Sequence, residues 1–172
     1  LVKADISGTV QEVLDASNSG VTFAISDISL NDPSNTVVAA TDLKLIGDLT
    51  TGAVELFGTS PAADISGTVQ EVLDASNSGV TFVNSDISLN DVAGTSILAT
   101  DLTLIGNLTD YDVEILNTVS IEGTVQELLD ASNSGVIYEN ADISLNDASN
   151  VVIAGADLET LSTLSNKDLE II

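Results

Sequence analysis

Asp5–Phe23 reads DISGTVQEVLDASNSGVTF, and the same nineteen residues return unchanged at Asp64–Phe82. A third version, IEGTVQELLDASNSGVIY at Ile121–Tyr138, keeps the frame with conservative changes. Ile6, Ile65 and Ile121 fall in register, and the second interval is shorter than the first by a loop deletion near Ser60–Ala62. The chain of 172 residues therefore reads as one repeat array, 1–172, divided into repeats 5–63, 64–119 and 120–172. A period above the usual 20 to 50 residues points to a compound unit.

Each repeat has two halves. In the first, Thr9 opens GTVQEVLDASNSG and lies eleven residues before Gly20, and Thr68 with Gly79 and Thr124 with Gly135 keep that interval. Thr9 followed three residues on by Glu12 is a capping box, which satisfies two orphan amides of a helix start. Val10, Val13 and Leu14 then share one helical face, and Gly20 supplies the left-handed residue that ends the helix. The second half opens at Thr41 with ATDLKLIGDLTTG and reaches Gly52 after the same eleven residues. Asp42 sits there in the first turn, where the helix dipole favours negative charge.

After each glycine comes a short alternating run, VTF or AVELF, as expected of a strand with one buried face. DISL follows at Asp27, Asp86 and Asp142, then a polar turn, then TVVAA, SILAT or VVIAG. Half-repeats this short cannot bury their own apolar faces, so neighbours must stack. The expected fold is an α/β solenoid with parallel β-strands and short helices, about two coils per 56–59-residue repeat. Like-on-like stacking would place Phe23, Phe82 and Tyr138 in one column and Val54, Val113 and Leu169 in another. It would also align Glu12, Asp15, Asp27, Asp32, Asp42 and Glu55 with their copies, eighteen of the twenty-seven carboxylates, about 10 Å apart at two strand spacings.

Composition narrows the chemistry. His, Cys, Met, Trp and Arg are absent, Lys3, Lys44 and Lys167 are the only cationic side chains, and the formal charge is -24. No Ser-His or Cys-His nucleophile, nitrogen-sulfur zinc site or bidentate phosphate clamp can be assembled. Nucleic acid and anionic lipid, held chiefly by Lys and Arg, are poor partners. No apolar run approaches the roughly 18 residues that cross a bilayer. The opening LVKADISG is neither Met-led nor a signal peptide and reads as the start of a fragment.

Segments such as ISGTVQEVLDASNSG alternating with TDLKLIGDLTTGAVEL resemble the long tandem repeats of giant secreted bacterial surface proteins, including cyanobacterial ones. The resemblance covers nearly the whole chain. It implies an extracellular or cell-surface protein whose partners are flanking repeats or copies of itself. The Gly-Gly-x-Gly-x-Asp nonapeptides of calcium-binding modules often found beside such repeats are missing.

Carboxylates are the one abundant chemical resource. The DISLND turns offer Asp27, Asn31 and Asp32, then Asp86, Asn90 and Asp91, then Asp142, Asn146 and Asp147, as candidate weak calcium sites, because hard cations take carboxylate and carbonyl oxygen. The alternative is that these residues satisfy their own turn backbone, and no EF-hand spacing is present. Paired carboxylates can cleave glycosidic bonds, but of five aromatics Phe23, Phe82 and Tyr138 read as core, leaving Phe57 and Tyr111 as sugar platforms. The expectation is no enzyme and no required cofactor. The function expected is a structural repeat: a rigid spacer, surface-layer element or self-assembling filament unit. The alternative is a calcium-dependent adhesion module for a polysaccharide or cell-surface partner.

Overall fold

The computed structural model describes residues 3–34, 36–57 and 62–172. The deletion expected near Ser60–Ala62 lies, Ala62 apart, outside the described residues. The first repeat forms β1 (Ile6–Gly8), α1 (Val10–Asn18), β2 (Ile28–Leu30), β3 (Val37–Ala39), α2 (Ala40–Gly47) and β4 (Val54–Leu56). The second forms β5 (Asp64–Gly67), α3 (Val69–Asn77), β6 (Val80–Thr81), β7 (Ile87–Leu89), β8 (Ser96–Leu98), α4 (Ala99–Gly106) and β9 (Val113–Ile115). The third forms β10 (Ser120–Gly123), α5 (Val125–Asn133), β11 (Val136–Ile137), β12 (Asp142–Leu145), α6 (Gly155–Leu164) and β13 (Leu169–Ile171).

The first-half helices start and stop where their end signals stand. Thr9 Oγ1 accepts from the Glu12 amide at 3.3 Å while Glu12 Oε2 accepts from the Thr9 amide at 2.9 Å, and α3 and α5 repeat this box. Gly20, Gly79 and Gly135 take φ of +92°, +89° and +92°, the left-handed conformation glycine adopts at no steric cost. The second-half helices depart from the expected Thr41-to-Gly52 span. α2 begins at Ala40 and ends at Gly47 without a side-chain cap. Burial sets that start: Ala40 is fully buried, and its Cβ would lie 2.8 Å from a Cβ added to Gly67. Gly52 serves close approach instead, since a Cβ there would fall 2.2 Å from the Ser26 carbonyl oxygen.

Among the described residues the strands form three sheets, ordered β1-β2-β4-β6, β3-β5-β7-β9-β11 and β8-β10-β12-β13. Every pairing is parallel, and each paired couple encloses one helix of the chain. The chain is thus an α/β fold of alternating β-α units. Ladders join unlike strands: Ile6 lies opposite Ile28, Ile28 opposite Val54, and Val54 opposite Val80. Each sheet therefore runs obliquely through the units.

Equivalent residues consequently do not form columns, contrary to the expectation. Phe82 follows β6 at the end of the first sheet, Tyr138 follows β11 at the end of the second, and Val54 and Val113 belong to different sheets. Phe23, Phe82 and Tyr138 are all buried nonetheless, inside one apolar cluster that extends from Val10 to Leu161. The obliquity answers a mismatch of widths. A helix is about 10 Å across while strands lie about 4.8 Å apart, so units with one helix and one strand each stack both in register only by bending the array. Between successive helices the chain instead supplies two or three strands, each to a different sheet.

Core rows follow the same path. Val38, Ile65, Ile87, Val113 and Val136 lie side by side across the longest sheet, all buried, and each such side chain contributes roughly 1.5–3 kcal/mol by leaving water. The neighbouring row grows from Gly67 through Leu89 to Ile115. Helices meet most closely where α2 packs on α3 and α4 on α5. Gly47 and Gly106 permit this: a Cβ on either would lie 2.2 Å from the hydroxyl of Ser78 or Ser134.

Candidate functional site

The DISLND turns are built around backbone amides of neighbouring units. Asp32 Oδ2 accepts from the Val10 amide at 2.9 Å, and Asp91 and Asp147 do the same for Val69 and Val125 at 3.0 Å. These are the first amides of α1, α3 and α5, left without intrahelical partners by helix geometry. Asp27 Oδ1 accepts from Ala53 at 2.9 Å and Asp86 Oδ1 from Asp112 at 3.2 Å, one unit further along the chain. The two aspartates of a turn thus reach in opposite directions, one to the preceding helix and one to the following strand.

The asparagines add to this stitching. Asn31 and Asn90 donate through Nδ2 to the hydroxyls of Ser7 and Ser66 at 3.3 and 3.2 Å. The amides of Asn31, Asn90 and Asn146 donate to the carbonyls of Gly8, Gly67 and Gly123 at 3.0 Å. In the third copy the Asp142 amide donates to Val119 at 2.8 Å. Lys3 meets Asp27 at 2.6 Å; its hydrogen bond, followed by that from Ala53, holds the Asp27 carboxyl below the usual aspartate range. Among the described residues no group of three or more acidic side chains is arranged to hold a metal ion.

One turn aspartate, Asp86, stands among other carboxylates. Asp64, Asp86, Asp112 and Glu114 line one shallow depression on the outer face of the longest sheet, beside Ser88. Glu55 and the exposed Phe57 line another with Thr81. The expected column of Glu55, Glu114 and Glu170 does not form, because ladder partners are unlike: Glu55 lies between Ser29 and Thr81, Glu114 between Ser88 and Ile137, and Glu170 beside Ser144. Hydroxyl and apolar neighbours separate these charges, which lowers their mutual repulsion.

Two features lie outside the expectations from sequence. DISG of β1 and β5 is a strand, and it pairs with the DISL strand that follows the next helix: Ser7 opposite Ser29, Ser66 opposite Ser88. The tripeptide Asp-Ile-Ser, present twice in each of the first two repeats, is the signal for it. The second feature is a hydroxyl clip. Thr50 Oγ1 donates to Ser26 O at 2.6 Å and accepts from the Gly52 amide at 2.9 Å. Thr109 repeats the clip with Ser85 O at 2.5 Å and the Tyr111 amide at 3.1 Å, and Ser165 repeats it with Ala141 O and the Lys167 amide. Its signal in sequence is a hydroxyl residue at one aligned position of all three repeats.

Tyr138, which stands where the other repeats have Phe, donates its hydroxyl to Leu128 O at 2.8 Å, and burial pushes its phenol far above the usual range. No helix among the described residues is long and apolar enough to cross a membrane. No protein-family model, curated protein or solved structure matches the chain.

Proposed function

We propose that the chain is a structural repeat array, an α/β solenoid that serves as a stiff acidic spacer in a large extracellular bacterial surface protein. The observation that carries this reading is the ladder rule: each strand pair encloses one helix, and the turn aspartates, hydroxyl clips and glycine notches all join one unit to the next. The turn aspartates of the first two repeats, and Asp147 of the third, accept from amides of neighbouring units, which suits a load-bearing role. The charge of -24 keeps such an array soluble and repels neighbouring arrays.

Lengthening the array tests it. A chain with residues 64–119 duplicated after Val119 adds two units in phase. The expected outcome is one cooperative unfolding transition at a higher temperature, because stability in such arrays sums over units and junctions. X-ray scattering should show a maximum dimension greater by about 20 Å, two helix widths. Two separate transitions, or no gain in length, would sink the reading.

Calcium titration separates the spacer from the adhesion module. A gradual rise in melting temperature with any salt fits screening of acidic charge. A sharp rise at micromolar calcium, lost on substitution of Asp86, would favour instead a calcium-dependent adhesion module with its sites at the DISLND turns.

A further inference from the structure

Asp32 is the only aspartate in the sequence followed by proline. At the aligned positions Asp91 precedes Val92 and Asp147 precedes Ala148. All three carboxylates accept the leading amide of a first-half helix, so one turn is built three times and differs in the peptide bond that follows the acid. Two of these bonds are secondary amides. The Asp32–Pro33 amide is tertiary, and its nitrogen, alkylated where the others carry hydrogen, is the more basic and leaves more readily in acid.

We propose that Asp32–Pro33 is a self-cleaving bond, latent in the folded array and active in acid once this turn opens. The Asp32 carboxylate attacks the carbonyl carbon of its own residue while the proline nitrogen takes a proton from the medium. A C–O bond forms, the C–N bond breaks, and the nitrogen departs with the bonding pair as the free amine of Pro33. The other product is a cyclic anhydride at Asp32, which one water opens to the two carboxyl groups of a C-terminal aspartate. Nothing is oxidised or reduced, and acid and water are the only reagents.

The fold holds the bond inert. Asp32 Oδ2 is engaged by the Val10 amide at 2.9 Å and the residue is only 7% exposed, so its carboxylate is neither free to turn onto its own carbonyl nor open to the water that completes the step. On the leaving side, the Pro33 carbonyl accepts the Thr36 amide at 2.9 Å, which fixes the turn. Asp91 and Asp147 are less enclosed but lack the proline. The cut falls between β2 and β3. It leaves β1, α1 and β2 without a covalent link, attached through the ladder of β2 with β4 and the packing of α1 on α2. The chain thus withstands acid while folded and sheds its first three elements when it opens. This holds whether or not the array is a spacer, since it concerns one bond of the backbone.

Mass spectrometry of the full chain, held in the mildest acid that cuts it in urea, tests the proposal. The expected products are residues 1–32 and 33–172, whose masses sum to the chain plus one water, while Asp91–Val92 and Asp147–Ala148 stay whole over the same interval. Across a urea series, extended with sucrose where acid alone unfolds the chain, the rate is expected to follow the unfolded fraction read by circular dichroism. The folded chain should be cut at least about tenfold more slowly than the unfolded one. Pro33→Ala keeps the Asp32 cap and is expected to abolish the cut even in urea. Val10→Pro removes the amide that engages Asp32, at a first helical position that accepts proline, and is expected to speed cleavage of the folded chain at least about tenfold. If that variant does not fold, the urea series of the wild type decides. The proposal is overturned by the absence of a cut in acid urea, by a rate indifferent to the unfolded fraction, or by cutting at Asp91–Val92 or Asp147–Ala148 as fast as at Asp32–Pro33. Cleavage that survives Pro33→Ala, or a folded Val10→Pro chain cut no faster than wild type, overturns it equally.

Discussion

The Asp32 carboxylate accepts the Val10 amide from a later unit of the chain, 2.9 Å away. The same bond joins Asp91 to Val69 and Asp147 to Val125, so each first-half helix has its leading amide capped by the unit that follows. Asp91→Ala should lower stability by about 1–2 kcal/mol, the range for losing a helix cap. Asp91→Asn keeps an acceptor oxygen and should recover more than half. Urea denaturation of the two variants checks it, and equal losses would mean that the cap contributes little.

Gly106→Ala carries a sign opposite to helix propensity. Alanine in a helix is ordinarily better than glycine by about 1 kcal/mol. Here the new Cβ meets Ser134 Oγ at 2.2 Å and its carbonyl oxygen at 2.5 Å, so the substitution should cost about 1–3 kcal/mol through overpacking. Adding Ser134→Gly should recover part of it, because the hydroxyl leaves while the carbonyl stays. A thermal melt in which Gly106→Ala gains stability would show that α4 and α5 do not meet this closely.

Thr109→Val removes the hydroxyl clip and keeps the shape. The Ser85 carbonyl and the Tyr111 amide both lose that partner, at a cost of about 1–3 kcal/mol for buried polar groups. Thr109→Ser should restore most of the loss, since Ser165 already fills this role in the third repeat. Comparing the three chains in denaturant distinguishes a lost bond from a packing change, which serine would not repair.

Asp27 should titrate below the ordinary aspartate range, held down first by Lys3 and then by the Ala53 amide. The sign follows from a depressed carboxyl: the stabilisation is present above the unfolded-state value and is lost as pH falls through the folded one. Carbonyl NMR across acidic pH reads the midpoint. Lys3→Ala should move it upward, and no movement would remove the ion pair from the account.

The parts of the fold readable from sequence are those with short-range causes. Thr9, Glu12 and Gly20 sit within one helix and its ends, so α1, α3 and α5 are visible in the letters alone. α2 has no capping side chain, and burial of Ala40 beneath Gly67 sets its start, a contact no local pattern contains. β1 and β5 hide because Ser and Gly are weak strand formers; a partner strand beyond the next helix supplies what local preference lacks. The turn aspartates are visible as acids, whereas their acceptor role depends on amides brought close by the oblique ladders. The same obliquity undoes the expected columns: repetition in sequence implies repetition in space, but not that equal residues become neighbours.

The oblique course of the sheets has a mechanical consequence. Each of α2, α3, α4 and α5 is spanned by ladders from two different sheets, and where the first sheet ends at β6 and the third begins at β8, the second runs on through β7. Planks in a hull are laid this way, with the butt ends of one course covered by the middle of the next. A pull along such an assembly finds no single seam at which all strands part together, and fraying that starts at one end is checked at each overlap.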